Sequence, residues 1–338
     1  MERPTTPRIS VAMSVYNGER FLALAIESIL AQTFGDFEFL ILDDGSKDAT
    51  TQIIQDYAAK DARIHPILRE NRGLIVSLNQ LLAEARAPII ARMDADDIAY
   101  PQRFARQYAF LQANPDHAVV GCANEDIDDH GQPWPVDAPP YPTTFDDFLR
   151  AAEKSLPLIS HPGVMYRRDP VLSVGGYHAA FRHCEDLDLW LRLASITKLA
   201  NLTEPLIRYR HYPEQVSSRH ATEQQIGAAV ARIAYMERKA GRPDPTIGIK
   251  ALPPIDDLDT LFGRPGVAQA VRARVAQGLL YSKAGLRDSG FDLILRHLRE
   301  GGTRKGMWRT VARLIRFGEP ARAIRLATTL ASTATVAG

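Results

Sequence analysis

Through the first hundred residues, apolar positions fall into two alternating rhythms. Short, mostly apolar runs at 9–15, 37–42, 64–68 and 89–93 are rich in Ile, Val, Phe and Leu and read as strands. Between them, 19–32 carries Phe21, Leu22, Ala25, Ile26, Ile29 and Leu30 at helical spacing, and helices are also predicted over 48–60 and 73–85. Strands alternating with helices predict an α/β fold, a mostly parallel sheet flanked by helices and joined by right-handed crossovers.

The rhythm breaks between 128 and 142, where Gly131, Pro133, Pro135, Pro139, Pro140 and Pro142 mark an irregular segment. A strand at 163–166, a helix at 187–194 and a strand at 205–209 follow. Beyond about 220 the chain reads as helices, broken at Pro243-Asp244-Pro245 and Pro253-Pro254. Two domains are therefore expected, an α/β domain over 1–218 and a helical C-terminal extension over 219–338.

Composition changes this picture little: 45% hydrophobic and 24% charged residues over 338 positions describe an ordinary globular protein. Two cysteines, Cys122 and Cys184, are too few for a disulfide framework and fit a reducing cytosol. The start of the chain lacks the basic-then-apolar pattern of a signal peptide, and no apolar run is long enough to span a bilayer. Charge is more informative. The net value of +1 hides a C-terminal stretch, from 268 onward, with 13 basic and 4 acidic residues, against an excess of acid in the remainder.

Candidate chemistry gathers where an open parallel sheet binds ligands, beyond the carboxyl ends of its strands. Three polar clusters fall there: Tyr16-Asn17, Asp43-Asp44-Gly45-Ser46 and Asp94-Ala95-Asp96-Asp97. Any one of them also reads as a turn, because Asp and Gly dominate turns. Carboxylates as dense as Asp94, Asp96 and Asp97 repel one another, and a bound cation is the usual reason to keep them together. Hard oxygen ligands suit Mg²⁺ or Mn²⁺, held by carboxylates plus substrate phosphates. The sequence has no P-loop, no G-x-G-x-x-G, no zinc-type Cys/His spacing and no G-x-S-x-G elbow. Further along, Glu185-Asp186 precede an apolar helix. They either favour its positive N-terminus or supply a base for an attacking hydroxyl.

In this order, these residues closely resemble glycosyltransferase family 2, inverting enzymes on the nucleotide-diphospho-sugar transferase (GT-A) fold. The resemblance runs over about 8–217. It is carried by the segment from Ser10 to Asn17, by Leu42-Asp43-Asp44-Gly45-Ser46, by Ala91-Arg92-Met93-Asp94-Ala95-Asp96-Asp97, by His161-Pro162-Gly163-Val164-Met165, and by Gly175-Gly176-Tyr177 ahead of Glu185-Asp186. It implies transfer of a sugar from a nucleotide-diphosphate donor, UDP by resemblance, to a hydroxyl of a surface glycan or its lipid-linked precursor, with no role for nucleic acid. Tyr16, Asn17 and Asp44 then belong to the nucleotide side of the donor, Asp94 lies near the ribose, and Asp96 ligates a divalent ion, with Asp97 supporting the loop. Asp186 is the implied base with Glu185 beside it, and His161 lines the sugar or acceptor pocket or caps a strand.

One departure stands out. Members of the family often carry Tyr-Arg-x-His after the last core strand, whereas here Tyr209-Arg210 runs into His211-Tyr212. On an extended segment a shift of one residue points the side chain to the opposite face, so His211 is a candidate metal ligand only if the backbone compensates. Two other readings stay open: a non-catalytic nucleotide-sugar-binding scaffold, and a sugar nucleotidyltransferase, which would show a glycine-rich basic loop that 14–20 lacks. The basic tail adds an expectation of its own. An amphipathic helix over 307–316 groups Met307, Val311 and Leu314, with Trp308 and Ile315 beside them, opposite Arg309, Arg313 and Arg316. It predicts a cytoplasmic protein in peripheral contact with the anionic inner face of the membrane.

Overall fold

The computed structural model describes residues 6–213, 215 and 220–332. The chain forms two compact units, Met1–His178 with Glu185–Tyr212, and Ala179–Cys184 with Pro213–Gly338.

The first unit is built on one sheet of eight strands. Its leading half follows the apolar rhythm: β1 (Ile9–Val15), α1 (Leu22–Leu30), β2 (Phe37–Asp43), α2 (Thr50–Ala58), β3 (Ile64–Leu68), α3 (Leu74–Glu84) and β4 (Ile89–Asp94). β1 and β2 are buried almost throughout, as strands covered on both faces are, which is why apolar residues predominate along them. Ile9, Val11, Met13, Phe39, Ile41 and Ala91 anchor the core. β3 is one of the two edge strands and accommodates Pro66, which lacks an N–H to donate to a ladder.

The second half is more mixed. It comprises β5 (Ile98–Ala99), α4 (Arg103–Ala113), β6 (His117–Ile127), α5 (Phe145–Glu153), β7 (Met165–Arg167), α6 (Arg168–Ser173), α7 (Glu185–Leu193) and β8 (Lys198–Arg210). The strand order is β3-β2-β1-β4-β7-β6-β8-β5. β1 to β4 are mutually parallel and β6 is parallel to β8, whereas β7 runs antiparallel to both neighbours and β5 antiparallel to β8. A purely parallel continuation is therefore not what forms; the sheet is mixed beyond β4. β6 and α5 were absent from the sequence reading, and β8 begins well before 205. Inside this half, Arg103 is fully buried and spends its guanidinium on the carbonyls of Arg92 and Val164 (2.6 and 3.1 Å), while Gln107 donates to those of Val120 and Gly163. These bonds tie α4 to backbone carbonyls where β4, β6 and β7 meet.

The second unit is helical: α8 (Ala221–Lys239), a short α9 (Leu258–Leu261), α10 (Val267–Leu279), α11 (Gly290–Arg299), α12 (Met307–Arg316) and α13 (Pro320–Ser332). α12 has the bounds that its periodicity predicts, but its faces are drawn differently. It buries Met307, Thr310 and Leu314 and turns Trp308 (58% exposed) and Ile315 (61%) to solvent. Arg313 leaves the polar face and lies over the Tyr281 ring at 4.4 Å. Among the described residues no helix is long and apolar enough to cross a membrane. Both cysteines are buried, and neither takes part in a disulfide.

Candidate active site

Strand register assembles the site. Ser14 pairs with both Leu42 and Asp94, and Val15 pairs with Asp43, so the ends of β1, β2 and β4 deliver their polar residues to one sheet edge. After β1, Asn17 adopts a left-handed backbone (φ 52°) and is tied to the loop after β2: its N–H donates to Ser46 Oγ (2.9 Å) and its Oδ1 accepts from Lys47 N–H (2.8 Å). Tyr16 is left 52% exposed beside this turn, an open aromatic face. Asp44 is buried and receives N–H groups from Arg72 (2.9 Å) and Gly73 (2.8 Å) together with the Arg69 guanidinium (2.9 Å). Its carboxylate thus organises the 69–73 turn as well as standing at the sheet edge.

The acidic loop after β4 is the electrostatic centre. One carboxylate oxygen from each of Asp94, Asp96 and Asp97 lies within 4.8 Å of the others. Arg92 is buried on β4 and makes a two-pronged pair with Asp94, which neutralises one of the three charges. Asp96 Oδ2 accepts a hydrogen bond from the Tyr212 hydroxyl at 2.8 Å. Burial, then Asp94, still push its carboxyl up to about 6. Asp97 accepts the Arg210 N–H at 2.8 Å through Oδ1, while its buried Oδ2 has no hydrogen-bond partner among the described residues. Burial and the two neighbouring aspartates raise its carboxyl well above the ordinary range. An orphaned buried carboxylate oxygen inside an acidic group whose charges are held up in this way suits a hard divalent cation. The donor set, oxygen only, fits Mg²⁺ or Mn²⁺.

His211 does not join this group. Its Nε2 meets Asp126 Oδ1 at 2.6 Å and its ring stacks against Trp134, while the next residue, Tyr212, is the one that reaches Asp96. The one-residue shift therefore exchanges the two side chains across the strand, and the backbone does not compensate.

Glu185 and Asp186 occupy the first turn of α7. The helix is fixed by Asp188, buried against Arg192, whose guanidinium also donates to the carbonyls of Val174 (2.7 Å) and Gly176 (2.8 Å). The Gly175-Gly176 pair takes left-handed backbone (φ 85° and 69°), which admits the turn. Asn79 then clamps Tyr177 through both its N–H and its carbonyl (2.8 Å each). Burial, then Asp186, raise the Glu185 carboxyl to about 7, and burial raises that of Asp186. Both carboxylates lie within the fields of Arg92 and Asp94, so the α7 turn and the acidic loop belong to one charged locus. His161 sits behind it, its Nε2 3.0 Å from the Tyr177 hydroxyl, its ring edge-on to Trp190, and burial holds it neutral.

Sequence reasoning assigns no role to Arg69, or to Arg92, Tyr177 and Arg210, which stand within the motifs quoted above. Arg92 carried a signal: a charge inside an otherwise apolar strand must find a partner. Arg69, Arg210 and Tyr177 are recognisable only once the turns they brace are folded.

The description "Glycosyl transferase family 2" has a family model that matches residues 10–175. The O-antigen biosynthesis glycosyltransferase WbnJ of Escherichia coli is 32% identical over 209 residues, 60% of this chain and 79% of that one. The amylovoran biosynthesis glycosyltransferase AmsE of Erwinia amylovora is 31% identical over 217 residues, 62% and 79% of the two chains. Among solved structures, S. aureus TarS 1–349 in complex with UDP-GlcNAc superposes with a TM-score of 0.55 at 17% identity, over 88% of this chain and 93% of that one, a likeness of fold.

Proposed function

Because the chain belongs to glycosyltransferase family 2, we propose that it moves a sugar from a UDP-linked donor to a hydroxyl of a glycan or lipid-linked acceptor, with inversion at the anomeric carbon. The observation that carries this reading is the single charged locus formed by Asp94, Asp96 and Asp97 at the strand ends and Glu185 and Asp186 at the start of α7. One side can hold a diphosphate and the other can accept a proton.

In this reading Asp186 takes the proton of the acceptor hydroxyl as its oxygen bonds to the anomeric carbon, and the bond from that carbon to the diphosphate breaks on the opposite face. A carboxyl raised by burial suits the task, since a base works best with a pKa near the working pH. Asp96 and Asp97 would hold a divalent ion, which supplies positive charge beside the departing diphosphate. Arg92 pairs with Asp94 through both guanidinium nitrogens and orients it. Tyr16 offers its face to the nucleobase beside the Asn17 turn. The names of WbnJ and AmsE support an acceptor in surface polysaccharide synthesis, and the TarS complex supports a UDP-sugar on this fold. A scaffold without turnover would have no use for a base at Asp186.

We also propose that the protein works at the membrane surface, a reading that α12 supports. Trp308 and Ile315, seven residues apart, share an exposed face with Arg309 and Arg316 alongside, an arrangement that suits the headgroup layer of an anionic membrane. The decisive experiment on the reaction is a screen of purified protein with Mg²⁺ or Mn²⁺ against nucleotide sugars, with the product anomer read by NMR. A UDP-sugar turned over to the inverted glycoside supports the reading; a retained anomer, or no turnover of any nucleotide sugar, refutes it.

A further inference from the structure

A second set of ligand-type side chains lies in the helical unit. His183 is the fifth residue of the 179–184 segment, His220 is the N-cap residue of α8, and Glu223, three positions on, lies in its first turn. The two imidazoles stack with centroids 4.0 Å apart and planes 10° apart. Glu223 Oε2 stands 3.5 Å from His183 Nε2 and 3.7 Å from His220 Nδ1. Both distances are too long for a hydrogen bond, and His183 Nε2 is buried with no hydrogen-bond partner among the described residues. Three groups thus converge without bonding one another. Backbone cost accompanies the arrangement, because His183 sits at φ 65°, which non-glycine residues seldom adopt.

We propose that His183, His220 and Glu223 form a binding site for a borderline transition-metal ion of the Zn²⁺ type. Two imidazoles and one carboxylate are the donors such ions take, in contrast to the all-oxygen group of Asp94, Asp96 and Asp97. The spacing agrees. A tetrahedral ion with bonds of about 2.0–2.1 Å holds its ligand atoms about 3.4 Å apart, close to the observed 3.5 and 3.7 Å; because the stacked rings hold their in-plane lone pairs parallel, one imidazole turns out of the stack to face the ion. One ligand atom from each residue lies within 4.8 Å of the other two. His220 and Glu223 also line a cleft of about 570 Å³, which leaves the ion a solvent-accessible position. Burial, then His220, hold the His183 imidazole below its ordinary 6.5, so its lone pair is available at neutral pH. The ion would tie the 179–184 segment to α8.

The test is titration of the metal-free full-length protein with Co²⁺ in excess Mg²⁺, followed by visible d–d absorption, with Zn²⁺ retention measured by elemental analysis. One equivalent of either ion is expected, with the spectrum of a four-coordinate nitrogen-bearing site. Glu223→Gln, at a half-exposed position that does not threaten folding, and His183→Ala should each weaken binding more than the roughly 10–100-fold that loss of an outer partner costs. Asp96→Ala should leave it intact. The proposal is overturned if no such spectrum forms, if it survives Glu223→Gln, or if it disappears in Asp96→Ala and so belongs to the acidic loop. None of these outcomes depends on sugar transfer.

Discussion

Replacing Glu185 with Gln should stabilise the protein, and only where the pH is high enough to ionise a carboxyl. Glu185 is 5% exposed in the first turn of α7, and burial together with Asp186 lifts its carboxyl from 4.5 to about 7. At about 1.4 kcal/mol for each tenfold change in proton affinity, this costs the ionised native state about 3 kcal/mol. The sign follows from which state holds the proton more tightly. Below pH 4.5 the folded and unfolded chains are both protonated and no penalty exists. Between 4.5 and 7 the unfolded chain ionises first, so stability falls as pH rises, and above 7 the loss is complete. Glutamine keeps the shape and removes the charge. The variant should therefore match the parent at pH 4 and exceed it by about 3 kcal/mol at pH 8. Urea denaturation at pH 4, 6 and 8, read through the buried Trp190 on the same helix, gives both curves. A gain of equal size at every pH would mean that packing, not ionisation, is responsible. A loss at pH 8 would mean that the carboxylate is paired in a way the structure does not show.

Asp186→Asn should lower transfer by a factor of about 10² to 10⁴ and leave UDP affinity unchanged, which isothermal titration alongside kinetics will show; a collapse of binding would make Asp186 structural. Tyr212→Phe removes the hydrogen bond that holds the Asp96 carboxyl down. The Mn²⁺ concentration for half-maximal activity should then rise more at pH 6 than at pH 8, whereas an equal rise at both would contradict the titration argument. Trp308→Ser combined with Arg309→Gln should reduce sedimentation with anionic vesicles at low salt, each basic residue near such a surface being worth about 1 kcal/mol. Recovery in the supernatant for parent and variant alike would rule out the membrane contact.

Much of the first unit is legible in the sequence because β1, β2 and β4 are covered on both faces and are apolar at most positions, with Glu38 and Arg92 as buried, paired exceptions. β6 escapes that logic. It opens with apolar residues but continues through Gly121, Asn124, Glu125 and Asp126, whose pairing with β8 includes register shifts, and nothing local marks such a ladder as a strand. α5 was legible after all: Thr144 accepts the Asp147 N–H as a helix cap, and the Thr-x-x-Asp spacing announces it. At the site, the carboxylates could be listed from sequence because charge density is visible in one dimension. Which of His211 and Tyr212 faces them could not, since it depends on the register in which β8 leaves the sheet. Arg69 and Arg210 were beyond reach for a related reason: each braces a turn whose shape must exist before the brace has meaning.

The six residues from 179 to 184 pack with the helical unit although the sheet-bearing unit surrounds them in the chain. Phe181 and Cys184 are buried there, and a side chain on Gly227 of α8 would meet Cys184 Sγ at 2.3 Å. For recombination, natural or engineered, the boundary at 212 is therefore not a clean joint. A C-terminal region grafted from a relative arrives without the short insert that fits it, and a truncation at 212 strands that insert immediately before Glu185 and Asp186. The heritable module is a discontinuous one, and change in the helical unit is obliged to travel with change in the lead-in to the proposed base.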